Sequence, residues 1–319
     1  MENGQRDRKE GWERELLEKL AFASLEESRK TRRWGIFFKI FIAVYLIIVL
    51  LIMQSGTWGE KALASRYTAL VDLDGEISAE SNANADNIIQ GLRDAFEAKA
   101  AVGVILHANS PGGSPVQSAY IYDEILRLRE KYPDKPLYAV IGDVCASGCY
   151  YAVAAADKIY ASPASIVGSI GVLMDGFGFV DGMKKLGIER RLLTAGENKG
   201  MLDPFSPLDS KARRHAQKML DEIHGQFIDA VKQGRGDALK PNKEIFSGLF
   251  WSGTKAMELG LVDEYGSADS VARDVIGAEE IVDYTVRENL FHRLAERFGM
   301  AMGRSVASEL HLSGRGLRY

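Results

Sequence analysis

Two short stretches carry residues whose types and spacing could do chemistry. In NSPGGS, residues 109–114, a glycine pair stands between an apolar run and a helical pattern. Glycines there permit backbone conformations that a side chain forbids, and they leave amide N–H groups free at a helix start. Free amides bind anions: a phosphate, or the oxyanion of a tetrahedral intermediate. Neither a G-x-G-x-x-G nor a P-loop spacing is present, which disfavours the nucleotide. The second stretch, CASGCYY at 145–151, sets Ser147 at the next strand-to-helix turn with Gly148 after it. A serine in such a turn serves as a helix cap, a packing residue or a nucleophile, and the local sequence does not decide among them. If the two turns lie side by side, as consecutive parallel strands often do, the Gly113 and Gly148 amides converge on one oxygen while the Ser147 hydroxyl faces the carbonyl carbon. That is half of an acyl-transfer site, and the missing half is a base.

Histidine is the usual base. Of the five histidines, His107 lies inside a strand pattern, His215 and His224 lie on a long helix, and His292 and His311 lie in an arginine-rich tail. None follows Ser147 in a loop with an acidic partner, so a Ser-His-Asp triad has no support. Cys145 and Cys149 flank Ser147 and are the chain's two cysteines. They give neither a multi-disulfide framework nor the spacing of a zinc site. They read as small buried packing residues, and a bridge between them is expected to distort the serine turn.

The elements that must position these residues alternate. Strand patterns run over 67–77, 102–108 and 136–143, with further short ones at 158–162 and 165–173. Helical patterns intervene at 85–100 and from Val116 to Tyr132, and a third follows Ser147. Strands alternating with helices predict an α/β domain with a largely parallel sheet. A long amphipathic helix is predicted over 209–232, with Ala212, Ala216, Met219, Ile223, Phe227, Ala230 and Val231 near one face. Beyond it, Ser252 or Thr254 caps a helix that Gly260 ends.

The 319 residues carry a net charge of −4, which gives a nucleic-acid partner no global electrostatic support. From Ile36 to Met53 the chain is apolar apart from Lys39, and as a helix this run would extend roughly 27 Å, enough to cross a bilayer. It is longer than a signal-peptide core and follows a long charged segment, so it reads as an uncleaved anchor. Arg29, Lys30, Arg32 and Arg33 precede it, which places the N-terminus in the cytoplasm. The expected organisation is a cytoplasmic segment (1–33), an anchor (34–54), a linker (55–66), a catalytic domain (67–286) and a C-terminal helix and tail (287–319).

NSPGGS, ASGCYYAVAAAD, GSIGV, AGENKGMLDPF and WSGTKAMELGLVDEYGS stand in the order found in the signal peptide peptidase A family of membrane-bound serine proteases, peptidase family S49. The chain resembles that family over about residues 67–275. The resemblance implies an α/β fold like that of the Clp protease subunit and the crotonases, a spiral of ββα units. It implies Ser147 as nucleophile, Lys199 as general base, Gly113 and Gly148 as oxyanion-hole donors, and Ser169 as the hydroxyl that hydrogen-bonds the lysine amine. No metal or organic cofactor is implied. The expected partners are remnant signal peptides and other unfolded peptides, the membrane, and copies of the chain in a ring-like homo-oligomer, an octamer by the family's habit. The expected location is a bacterial inner membrane with the catalytic domain outside the cytoplasm. A crotonase-type acyl-CoA enzyme and a catalytically silent scaffold are the alternatives. One departure is Cys149, where the family commonly has glycine.

The dyad sets a physical requirement. A lysine amine with a pKa of about 10.4 is protonated at neutral pH, so the site must desolvate it. Met201, Leu202 and Phe205 follow Lys199 and are expected to exclude water, behind a strand predicted at 188–194. Glu197 must point away, because a carboxylate against the amine would hold the proton on.

Overall fold

The computed structural model describes residues 32–49 and 66–287. The chain divides into two units, Met1–Leu63 and Ala64–Tyr319. In the first, residues 32–49 form a helix, α1, whose apolar side chains are exposed all round. Trp34, Phe37, Phe38 and Phe41 make a run of ring contacts along it. Among the described residues no helix is long and apolar enough to cross a membrane. The predicted anchor extends past residue 49, and residues 50–54, like the tail after 287, lie outside the described residues.

The second unit is mixed α/β, as the alternating pattern predicts. Its strands are β1 (Tyr67–Asp74), β2 (Ala101–Ser110), β3 (Leu137–Ala146), β4 (Lys158–Ala161), β5 (Ile166–Gly168), β6 (Phe250–Ser252), β7 (Glu264–Tyr265) and β8 (Ile281–Asp283). They form one eight-stranded sheet in the order β6-β5-β3-β2-β1-β8, with β4 on β3 and β7 on β4. Every pairing is parallel except β5 with β6. The strand β3 serves two neighbours in turn: Tyr138–Val140 pair with β4, and Val144–Ala146 pair with β5. Its far end is therefore held on one side by Ser110 and on the other by β5, and that end carries the serine turn.

Burial on both faces explains the continuous apolar character of β2. The larger core lies under α2 (Ala85–Glu97), α3 (Pro115–Lys131) and α4 (Gly148–Val153), where Ile88, Leu92, Phe96, Ile121, Ile125 and Leu128 meet the sheet. A smaller cluster of Ile105, Val140, Tyr160, Val271 and Ala272 fills the other face. Local signals set the helix ends. The Asn84 side-chain Oδ1 accepts from the Asn87 amide, and the Ser114 hydroxyl accepts from the Gln117 amide with Pro115 in the first turn. Lys135 Nζ donates to the carbonyls of Ala95, Phe96 and Ala98, closing the end of α2, and its burial lowers the amine's pKa.

The long helix α6 (Ser210–Arg235) begins at Asp209, whose carboxylate accepts from the Ala212 amide. Its C-terminal half packs against α4: Phe227 stacks on Tyr151 at 4.8 Å, and a Cβ on Gly234 would lie 2.0 Å from the Ala154 carbonyl oxygen. Arg235 is buried there, with Nη2 2.7 Å from Asp263 Oδ1 and donating to the Gly260 carbonyl. The helix α7 (Gly253–Glu258) starts with Ser252 accepting from the Lys255 amide, and Gly260 follows at φ 77°, as read from the sequence.

The strand predicted at 188–194 is absent. The segment from 171 to 208 holds one short helix, α5 (Val180–Lys185), and no ladder partner reaches it. Its apolar residues point outward instead: Leu173 is 81% exposed, Phe177 79% and Leu193 96%. A strand without a partner leaves its backbone groups unpaired, so the apolar residues alone do not make one.

Candidate active site

Ser147 sits between the end of β3 and the first residue of α4 at φ 53°, ψ −125°. A side chain in this region costs about 1–3 kcal/mol, so surrounding bonds must impose it. The Ser147 amide donates to the Gly168 carbonyl at 2.8 Å, and its carbonyl accepts from the Tyr151 amide at 3.0 Å. The residue thus starts α4, but its side chain makes no capping hydrogen bond. The cap reading of Ser147 fails here, and its half-buried hydroxyl has no hydrogen-bond partner among the described residues.

The glycine pair arrives at the same point. Ile77 pairs with Gly113: the Ile77 amide donates to Gly112, and the Ser114 amide donates to Ile77. Those bonds leave the Gly113 N–H pointing away from Ile77. A Cβ on Gly148 would lie 3.2 Å from the Gly113 nitrogen, and one on Gly112 would lie 2.7 Å from the Gly148 nitrogen and 2.8 Å from Ser147 Cβ. The two turns therefore lie side by side, as expected from consecutive parallel strands. Gly113 itself has φ 147°, and a Cβ there would meet the Ile77 carbonyl oxygen at 2.1 Å. Glycine is required at Gly112 and Gly113 by both conformation and space, and a Cβ on Gly148 would lie 2.5 Å from Ser118 Oγ. Gly148 opens α4, so its amide has no acceptor within the helix. A hydroxyl beside two such amides has the layout for attack on a carbonyl whose oxygen the amides hold.

Ser169 is the neighbour of the carbonyl that holds Ser147. It also has φ 53°, and its amide donates to Leu249 at 2.8 Å. Lys199 stands apart. It lies in the exposed segment, in a turn where its amide donates to Gly196, and among the described residues no hydrogen bond joins it to Ser147 or Ser169. Glu197 does turn to another partner: its carboxylate is 2.7 Å from Lys211 Nζ on α6. Of the apolar residues expected to dry Lys199, Met201 is half-buried and Leu202 and Phe205 are exposed, and the lysine itself is exposed. Sequence reasoning set His224 aside as a residue of the long helix, but it is half-buried with Nε2 3.2 Å from the Ile170 carbonyl, next to Ser169. Its place on α6 carried no signal of that contact. His107 is engaged with Asp72 at 2.9 Å.

The cysteines correct an expectation. Both are fully buried, as read from the sequence, but they form a disulfide with Cα atoms 5.2 Å apart. That separation lies inside the range a bridge needs. The bridge therefore closes across the serine turn, from the end of β3 to the start of α4, with Ser147 at φ 53° between its ends.

The Peptidase family S49 pattern matches residues 129–280, a span that holds Ser147, Ser169 and Lys199. A Brucella abortus protein named Na(+)/H(+) antiporter NhaA is 46% identical over 186 residues, which are 58% of this chain and 25% of that protein. This chain thus spans a quarter of that relative, and the antiporter name is said of the longer protein. A putative signal peptide peptidase SppA of Enterococcus faecium is 29% identical, over 74% of this chain and 69% of its own length. A putative protease of Methanocaldococcus jannaschii is 34% identical over 66% of this chain and 68% of its own length. With the serine turn, the glycine pair and these likenesses falling on one α/β unit, the chain belongs to peptidase family S49.

Proposed function

We propose that the chain is a membrane-anchored serine endopeptidase working by a Ser147–Lys199 dyad. The observation that carries the reading is Ser147 in its left-handed turn, its hydroxyl uncapped and the Gly113 and Gly148 amides beside it. In the proposed reaction the neutral Lys199 amine takes the Ser147 proton while Oγ bonds to the scissile carbonyl carbon. The oxyanion is held by the two amides, and the lysine ammonium returns the proton to the leaving amine. Water then hydrolyses the acyl-enzyme with the amine again as base. Ser169 hydrogen-bonds and orients that amine. No step calls for a metal or organic cofactor.

The exposed apolar residues of 171–208 support a ring-like homo-oligomer in which a neighbouring copy dries the lysine, with eight copies the family expectation. The finer fold reading is the ββα spiral of the Clp subunit and the crotonases. The substrates proposed are remnant signal peptides and other unfolded apolar peptides, laid against strand edges. The apolar run through α1 would anchor the chain in a bacterial inner membrane, N-terminus inside and catalytic domain outside.

The test is cleavage of an unstructured polypeptide, beside an acyl-CoA, by the full chain and its Ser147→Ala and Lys199→Ala variants. Peptide cleavage lost in both by about 10³-fold or more carries the dyad. Cleavage that survives Lys199→Ala removes the base and turns attention to His224. Turnover of the acyl-CoA alone selects the crotonase-type alternative, and activity on neither substrate selects the scaffold.

A further inference from the structure

The disulfide closes a ring through Cys145, Ala146, Ser147, Gly148 and Cys149, so the proposed nucleophile is the middle residue of the loop it ties. One sulfur is fixed to the sheet, because Cys145 pairs with Ser110 and with Val167. The other belongs to the first turn of α4. Both are fully buried, in the core rather than on the surface. The Ser147 backbone is also held by its amide's bond to the Gly168 carbonyl and by its carbonyl's bond from the Tyr151 amide. The disulfide adds a covalent tie between the strand end and the helix start on either side of the serine. It spans the one residue of the turn whose φ of 53° an L side chain resists.

We propose that the Cys145–Cys149 bond is a positioning device that holds Ser147 in its left-handed conformation, so that the chain reaches full hydrolytic competence only when oxidised. The inference rests on Ser147 being the nucleophile. Reduction by a dithiol breaks the S–S bond through a mixed disulfide. The pair takes up two electrons and two protons as thiols, and the dithiol leaves as its own cyclic disulfide. A thiol pair of this kind persists as a bridge in an oxidising compartment and opens in a reducing one. The chain would therefore be held back on the side of a membrane where thiols stay reduced.

The experiment compares oxidised full-length protein, the same protein reduced with dithiothreitol, the reduced protein reoxidised with oxidised glutathione, and the Cys145→Ala/Cys149→Ala double variant. Thiols are counted after unfolding in the absence of reductant. Turnover of an unstructured peptide and the rate of Ser147 labelling by a fluorophosphonate are followed alongside circular dichroism. The expected result is no free thiol before reduction and two after it. The expected kinetic effect is a fall in kcat and labelling rate of about 10- to 100-fold in the reduced and double-variant proteins, with KM within twofold and helix content unchanged. Reoxidation restores the wild type and not the variant. Two free thiols in the oxidised chain, an unchanged kcat in folded reduced protein, or loss of the whole fold on reduction would each overturn the proposal. Ser147→Ala separates the two readings: if that variant keeps its activity, the nucleophile assignment fails by itself. If it loses activity while the cysteine variant keeps it, only the positioning role fails.

Discussion

The halves of the proposed dyad come from regions built in opposite ways. Residues 137–170 are mostly buried: β3 is braced on both sides, α4 is buried end to end, and Tyr150 donates its hydroxyl to the Leu261 carbonyl within the core. Residues 171–208 carry one short helix and present Leu173, Phe177, Leu186 and Leu193 outward. The first region fixes a serine in a conformation that costs energy, using bonds made when the protomer folds. The second carries its lysine in solvent. A nucleophile needs position and a lysine base needs dryness, and one protomer supplies the first without the second.

The sharpest way to break this comparison is to add the same methyl group beside the serine turn of the packed region and in the open segment. Gly113→Ala puts a Cβ 2.1 Å from the Ile77 carbonyl oxygen and is expected to cost about 3 kcal/mol and to abolish turnover. Gly176→Ala, in the open segment with nothing within 4 Å, is expected to stay within about 0.5 kcal/mol of wild type. Chemical denaturation checks both, and equal losses would erase the distinction between the regions. Next comes Leu193→Ser with Phe177→Ser. These are expected to leave unfolding within about 0.5 kcal/mol while shifting sedimentation to smaller species and lowering turnover. Smaller species without loss of activity would mean that a single protomer dries its own lysine.

Tyr150→Phe tests the packed side more gently. Removing the hydroxyl leaves the Leu261 carbonyl without that donor, for an expected loss of about 1 kcal/mol with KM unchanged. The smallest effect concerns His107 and Asp72. Their hydrogen bond raises the histidine pKa and lowers that of the carboxylate. The histidine's contribution is complete below its unfolded pKa of about 6.5 and is lost as pH rises through its higher folded value. The carboxylate's contribution is present above its unfolded pKa and is lost as pH falls through its lower folded value. Both side chains are partly exposed, so His107→Gln should remove a few tenths of a kcal/mol to about 1 kcal/mol near pH 6 and less at pH 9. A stability difference that grows toward pH 9 would reverse the assigned charge state.

The packed region was largely legible because burial writes itself into sequence. The runs of β2 and β3, the faces of α2 and α6 and the Ser252 cap all follow from which side of an element meets the core. The convergence of Gly113 and Gly148 on Ser147 was readable from two strand-to-helix turns in a row. The exposed region misled for the same reason. Ile188, Leu192 and Leu193 have the composition of a strand, yet they make no core contact that would impose one. The disulfide was misread because two cysteines four apart look like adjacent turns of a helix, whereas Cys145 ends a strand and Cys149 begins a helix. The contact of His224 was not readable because its partner, the Ile170 carbonyl, is 54 positions away in sequence.

The clamp at Gly234 and Arg235 has one more consequence. From there α6 runs back toward Ser210 for roughly 36 Å at about 1.5 Å per residue. Its fixed end bears on the floor beneath the serine turn, and near its tip Lys211 grips Glu197, two positions from Lys199. The helix is a single rod, seated along its length by Phe227, His224 and Ala216, that joins the loop carrying the amine to the bed on which the hydroxyl rests.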